Sequence, residues 1–148
     1  MARKSRQVSI DFAFFNQLWD FYTQNKGRIR QHYRELSRKY LDFNDPSNAK
    51  AFLRQPQFEA LEMYVFLKEF LGNDPLHKLF KEWSEGEGRF QGRGVALAGQ
   101  SMQRGLFDFA STEQYEEVYK HMRSYARTYP NYIFALTMGT GKTILMAT

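Results

Sequence analysis

No cysteine occurs in this sequence, which excludes disulfides and thiolate metal sites. Long apolar runs are missing as well. No stretch approaches 18 apolar residues, so nothing reads as a membrane span. The opening MARKSRQVSID is basic, but no apolar segment of signal-peptide length follows it. The three histidines, His32, His77 and His121, are scattered and have no companions at metal-ligand spacing. Neither a Ser/His/Asp nor a Cys/His arrangement is visible. Glu82, Glu85 and Glu87 lie close together but read as solvated charge at a helix end. The expected setting is a reducing cytoplasm, with no membrane association.

What is present is apolar and aromatic. Hydrophobic residues make up 43% of the 148, and 17% are aromatic, with 14 Phe and 9 Tyr. A chain of this length can bury a sizeable core and holds one domain or two small ones. Charge is unevenly placed. Residues 1–54 carry 11 Lys/Arg against 5 Asp/Glu, whereas residues 55–148 carry 10 against 11. A basic first third favours contact with a polyanion, although a solvated helix face explains such an excess equally well.

Periodicity divides the chain into helices. Ser9 is placed to cap the first, with Phe12, Phe15, Leu18, Trp19 and Tyr22 as its apolar stripe. Such a stripe is usually core rather than a platform for bases. Gly27 is expected to break or bend this helix. A second helix is predicted from about Ile29 to Leu41, burying Ile29, Tyr33, Leu36 and Tyr40. Its outer face would carry Arg28, Arg30, Arg34, Arg38 and Lys39, the candidate nucleic-acid contacts. A short helical piece is expected over residues 48–53. A strong helix then starts near Pro56, with Leu61, Tyr64, Val65, Lys68 and Leu71 on one side, and stops at Gly72-Asn73. Pro75 opens another helix. Residues 86–105 hold six glycines and little periodicity, and read as an insertion or a loop over a binding surface. Ser111 or Thr112 caps a last helix running to about Tyr129.

The segment after Pro130 changes in character. YIFAL, residues 132–136, is a short apolar run with aromatic and β-branched members, and reads as a buried strand. Gly139-Thr140-Gly141-Lys142-Thr143 follows, and then ILMAT begins a helix. Strand, glycine loop and helix together have a mechanism. The glycines let successive backbone N–H groups face phosphate oxygens, and the helix adds its own unpaired N–H groups. Lys142 would reach the β- and γ-phosphates, and the Thr143 hydroxyl would ligate Mg²⁺. The longer pattern G-x-x-x-x-G-K-[ST] is not fully met, because Leu136 stands at its first glycine.

LTMGTGKT, residues 136–143, resembles motif I of superfamily 2 helicases and translocases. Gly139, Gly141, Lys142 and Thr143 match, whereas Leu136 and Met138 depart. Upstream, FLRQPQFEALEMY resembles the adenine-sensing Q motif of that superfamily, through Leu53, Arg54, Gln57, Ala60 and Leu61. A glutamine amide offers one donor and one acceptor to the edge of adenine. About 80 residues separate the two motifs. That insertion is similar to the ATPase subunits of type III-like restriction systems.

The resemblance covers about residues 52–148 and sets the expected organisation. Residues 1–54 would form a basic, aromatic-rich helical accessory region. Residues 55–148 would begin a helicase ATPase domain with a Q-motif-like helix, the glycine-rich insertion at about 86–105, a strand at 132–136 and the phosphate loop at 137–143. The expected fold class is a mostly α-helical region leading into the first strand and P-loop of a truncated α/β, RecA-like domain. The nucleotide site would comprise Gly139, Thr140, Gly141, Lys142, Thr143, Gln57 and Arg54, with ATP and Mg²⁺ as cofactors. The implied partners are DNA and a modification or specificity subunit.

No Walker B Asp-Glu and no second domain follow Thr143, so the sequence is expected to be the N-terminal piece of a larger protein. In isolation it is expected to bind ATP weakly or not at all. One competing reading makes the chain a basic helical module, binding nucleic acid or protein with no ATPase role. A small P-loop kinase is a third, but it needs a complete sheet.

Overall fold

The computed structural model describes residues 10–85, 88, 112–129, 131–132 and 134. The described elements are helical: α1 (Ile10–Gln31), α2 (Glu35–Asn44), α3 (Gln55–Val65), a π turn (Phe66–Phe70), α4 (Leu76–Glu85) and α5 (Thr112–Ser124). No strand occurs among the described residues, which include Tyr132 and Phe134 of the expected strand. The glycine-rich stretch, Gly88 apart, and the phosphate loop lie outside them. The chain divides into two units, Met1–Gln24 with Pro75–Tyr129, and Asn25–Asp74 with Pro130–Thr148, and α1 contributes to both.

In the first unit, Phe14 and Leu18 lie one turn apart on α1 and are buried, as are Leu79, Phe80 and Trp83 on α4. The Phe14 ring meets Phe80 edge-on at 5.4 Å and Trp83 at 5.3 Å. Such tilted and edge-on pairs suit the aromatic quadrupole. Trp83 satisfies its indole N–H by donating to Gln17 Oε1 at 2.7 Å. On α5, Tyr115 stacks on Phe80 at 6.3 Å and Tyr119 meets His77 edge-on at 5.9 Å. Burial pushes the Tyr115 phenol up to about 12. The same effect holds the His77 imidazole below its ordinary value, and the nearby Arg123 and Lys78 charges add to it. The buried stripe of α1 is therefore Phe14, Leu18 and Tyr22, not one through Phe15, which is exposed. α5 ends at Ser124, five residues before the expected stop at Tyr129.

The second unit corrects the expected hairpin. α1 runs through Gly27 to Gln31, and the break falls at His32–Arg34. A helical glycine costs about 1 kcal/mol relative to alanine. Buried Tyr22 and Ile29, seven residues apart on one face, bracket Gly27 and hold the helix across it. The last turn tightens, with His32 N–H donating to the Ile29 carbonyl at 3.0 Å and Tyr33 N–H to Arg30 at 3.2 Å. Arg34 is extended, with ψ 149°, and opens α2. The shifted break turns α2: Leu41 and Asn44 are buried, whereas Leu36 is 79% exposed and Tyr40 is also exposed. Residues 48–53 form turns rather than a helix. Just before them, Asp45 accepts from Ser47 N–H at 2.9 Å and from Ser47 Oγ–H at 2.6 Å, an Asx turn that competes with helix. These hydrogen bonds also lower the Asp45 pKa.

α3 buries Phe58, Ala60 and Glu62, and the π turn buries Phe66 and Leu67. Of the residues expected on one side of this helix, Leu71 is buried, whereas Tyr64 and Lys68 are exposed. The π turn closes with Leu71 N–H donating to the Phe66 carbonyl five residues back, at 3.0 Å. It presents Glu69 to the start of α2. Arg34 N–H donates to Glu69 Oε2 at 2.8 Å, and the Ser37 hydroxyl donates to Oε1 at 2.6 Å. A carboxylate at a helix N-terminus also favours the macrodipole. The expected stop is borne out: Gly72 and Asn73 both adopt positive φ, 69° and 60°.

Candidate nucleotide and nucleic-acid contacts

Gln57 occupies the third position of α3 and is buried, 1% exposed. Its Oε1 accepts the Arg54 backbone N–H at 2.8 Å, and the Arg54 carbonyl accepts Phe58 N–H at 2.9 Å. This is the reach-back half of a capping box. The other half is absent because an arginine side chain has no acceptor. The Arg54 side chain points to solvent. The two Q-motif-like residues therefore sit together at one helix start, with the carbonyl edge of the Gln57 amide engaged in the cap.

Gly139, Thr140, Gly141, Lys142 and Thr143, including the Mg²⁺ contact assigned to Thr143, lie outside the described residues. The chain entering that loop is fixed at one point. The Tyr132 hydroxyl donates to the Asp74 carbonyl at 3.1 Å and lies 3.5 Å from Asn73 Oδ1. Burial raises the Tyr132 pKa, and the Asp74 carboxylate adds to it, so the phenol keeps its donor proton. Tyr132 thus joins the second unit, which also holds Gln57.

The five candidate nucleic-acid cations do not share one fate. Arg28, Arg34, Arg38 and Lys39 are exposed. Arg30 is not: its guanidinium side chain is 18% exposed and is shared between Asp42 Oδ1, at 3.2 Å, and Glu62 Oε1. Lys26 Nζ reaches the same Glu62 oxygen at 2.6 Å. Glu62 is 2% exposed, so this carboxylate is held in the interior by two cations from α1. Arg30 is thereby a structural residue that sequence periodicity had placed on the outer face. The signal for Glu62 lies in its spacing, because it stands one turn from Phe58 and one turn from Phe66 on the apolar side of its helix.

The acids of the second unit are largely spoken for. Glu62 is buried, Glu69 caps α2, Asp45 closes its own turn, and Glu59 accepts from Gln55 Nε2 at 2.8 Å. The exposed pair Lys39–Glu35, 2.6 Å apart, is a solvated contact of little worth. Glu35 and Asp42 remain exposed, as do Arg28, Arg34, Arg38, Lys50 and Arg54. Among the described residues, no group of three or more His, Cys, Asp or Glu is placed to hold a metal ion. Among them, too, no helix is long and apolar enough to cross a membrane.

Comparison with protein-family models, with curated proteins and with solved structures gives no match to this chain.

Proposed function

We propose that this chain supplies the phosphate loop and the adenine contact of an ATP-dependent nucleic-acid motor, a helicase or translocase of superfamily 2 type acting in DNA restriction or defence. The observation that carries the reading is the loop Gly139-Thr140-Gly141-Lys142-Thr143, preceded by an apolar run and followed by a helix-forming segment. Backbone N–H groups of the loop and Lys142 would neutralise the phosphates, and Thr143 would hold Mg²⁺, which bridges the phosphate oxygens when bound. Gln57 and Arg54 would face the base. Because the Gln57 side chain is buried and its carbonyl caps α3, adenine recognition would require the start of α3 to open and exchange the cap for the base.

Two features support the reading. Arg28, Arg34, Arg38, Lys39, Lys50 and Arg54 of the second unit face solvent. Exposed cations of this kind favour contact with a polyanion. The Tyr132 anchor brings the approach to the loop into the same unit as Gln57.

The test is equilibrium binding of a fluorescent ATP analogue with Mg²⁺, comparing the wild type with Lys142→Ala. Weak binding that depends on Lys142 and on Mg²⁺, and prefers ATP over GTP, is expected. Binding that ignores Lys142 would leave the basic-module reading in its place.

A further inference from the structure

The end of α5 and the residues after it read Arg123-Ser-Tyr125-Ala-Arg127-Thr-Tyr129, so arginine and tyrosine alternate at every second residue. Helix α5 ends at Ser124, and residues 125–129 are irregular. Tyr125 is 61% exposed and Tyr129 is 64% exposed, while Arg123 and Arg127 are exposed beside them. Large aromatic side chains normally hide most of their surface, and a single exposed one would call for no explanation. Two within five residues, interleaved with two arginines, are a different matter.

The surrounding charge points one way. Glu117 is the last acidic residue before the segment, and residues 118–129 contain Lys120, Arg123 and Arg127 with no Asp or Glu. The described ion pair of α5, Lys120–Glu116, lies a turn before the segment. The Tyr125 ring keeps an edge-on contact with His121 at 5.1 Å, which braces one side of the ring against the helix end. The partner such a surface fits is a polyanion that also offers flat aromatic faces.

We infer that residues 123–129 form a contact site for single-stranded nucleic acid, with Tyr125 and Tyr129 stacking on bases and Arg123 and Arg127 holding the phosphates. Base faces are accessible in a single strand and covered in a duplex, so the tyrosines confer strand selectivity that the arginines alone would not. The tyrosines are four residues apart, a span of at most about 14 Å, short enough for one strand to pass both. Stacking tolerates any base, so the site has little sequence preference. This inference rests on the nucleic-acid half of the proposed function and does not need the phosphate loop.

Fluorescence anisotropy of a labelled oligothymidylate, its ribonucleotide counterpart and a duplex of equal length, without ATP, tests the site. The wild-type chain should bind both single strands at least tenfold more tightly than the duplex. Tyr125→Ser/Tyr129→Ser should weaken single-strand binding about tenfold or more and leave duplex binding unchanged. Tyr125→Phe/Tyr129→Phe, which keeps the rings, should retain it. Arg123→Gln/Arg127→Gln should weaken all three ligands and lower the single-strand salt slope by roughly 1.4. Lys142→Ala should bind single strands like the wild type, so loss of ATP binding is read separately. All four positions are exposed, and circular dichroism checks that the variants fold. Equal affinity for single strand and duplex, no loss on the serine substitutions, or equally effective competition by polyglutamate would each overturn the inference. Absence of binding at about 20 mM salt would overturn it as well.

Discussion

Arg30 and Glu62, 32 residues apart in sequence, form an ion pair in which the carboxylate is almost wholly buried and a second cation, Lys26, shares the same oxygen. The pair ties α1 to α3. It also separates one arginine from the four exposed cations that sequence periodicity grouped with it. Removing one member of a buried pair leaves the other charge unpaired, which is costlier than never having built the pair.

Glu62→Gln should therefore destabilise the chain by about 3 kcal/mol, read as a drop in the urea midpoint. Replacing both members with apolar residues, Arg30→Met/Glu62→Leu, should recover much of that loss. Arg30→Gln should also reduce stability, whereas Arg38→Gln should leave it within about 0.5 kcal/mol. A stability unaffected by Glu62→Gln would mean the carboxylate is not held as the structure has it.

Gln57 has a role that does not depend on nucleotide. Losing its bond to the Arg54 N–H and its buried amide should cost roughly 1–2 kcal/mol in Gln57→Ala. Thermal unfolding without ATP reads this cost. A variant as stable as the wild type would show that the cap is dispensable.

Gly27 lies mid-helix with open space around the position of a Cβ: no atom comes within 4 Å. Gly27→Ala should raise stability by about 0.5–1 kcal/mol by restricting the unfolded chain and favouring helix. Destabilisation by this substitution would place the break between α1 and α2 at Gly27, contrary to the continuous helix described.

His77 provides a pH dependence with a definite sign. Its folded pKa lies below the ordinary 6.5, chiefly through burial and then through Arg123 and Lys78. The unfolded chain therefore takes up the proton first as pH falls. The contribution of neutral His77 is fully present above about pH 6.5 and is lost as pH drops through the lower folded value. Urea midpoints measured between about pH 7.5 and 5 should fall for the wild type and fall less for His77→Gln. Parallel slopes would contradict the assignment.

Helices were the legible part of this sequence. The starts near Pro56 and Pro75 and the stop at Gly72-Asn73 follow from local chemistry that tertiary packing does not override. Helix faces were harder. Phe14 and Phe15 are adjacent and chemically identical, and only the partner rings Phe80 and Trp83 decide which is buried. Gly27 does not mark the α1–α2 break because a glycine is a weak helix breaker, while the actual break is held by Glu69, supplied from 35 residues away. No local pattern announces that carboxylate. The π turn that presents it is equally silent in periodicity. Of the candidate site, Gln57 and Arg54 were recognisable by motif, but the burial of Gln57 in a cap was not. The exposed tyrosines beyond α5 are not announced by periodicity, because the helical pattern continues through them to Tyr129.

The central claim is that Lys142 and its glycine loop bind the phosphates of ATP. The most direct measurement is a titration of the full chain with a fluorescent ATP analogue and Mg²⁺, to about 1 mM, in wild type and Lys142→Ala side by side. The account predicts saturable binding, weak in absolute terms, that disappears in Lys142→Ala and on chelation of Mg²⁺, while both proteins show the same helical content. Saturable binding that is the same in the two proteins, or that survives chelation of Mg²⁺, would contradict it.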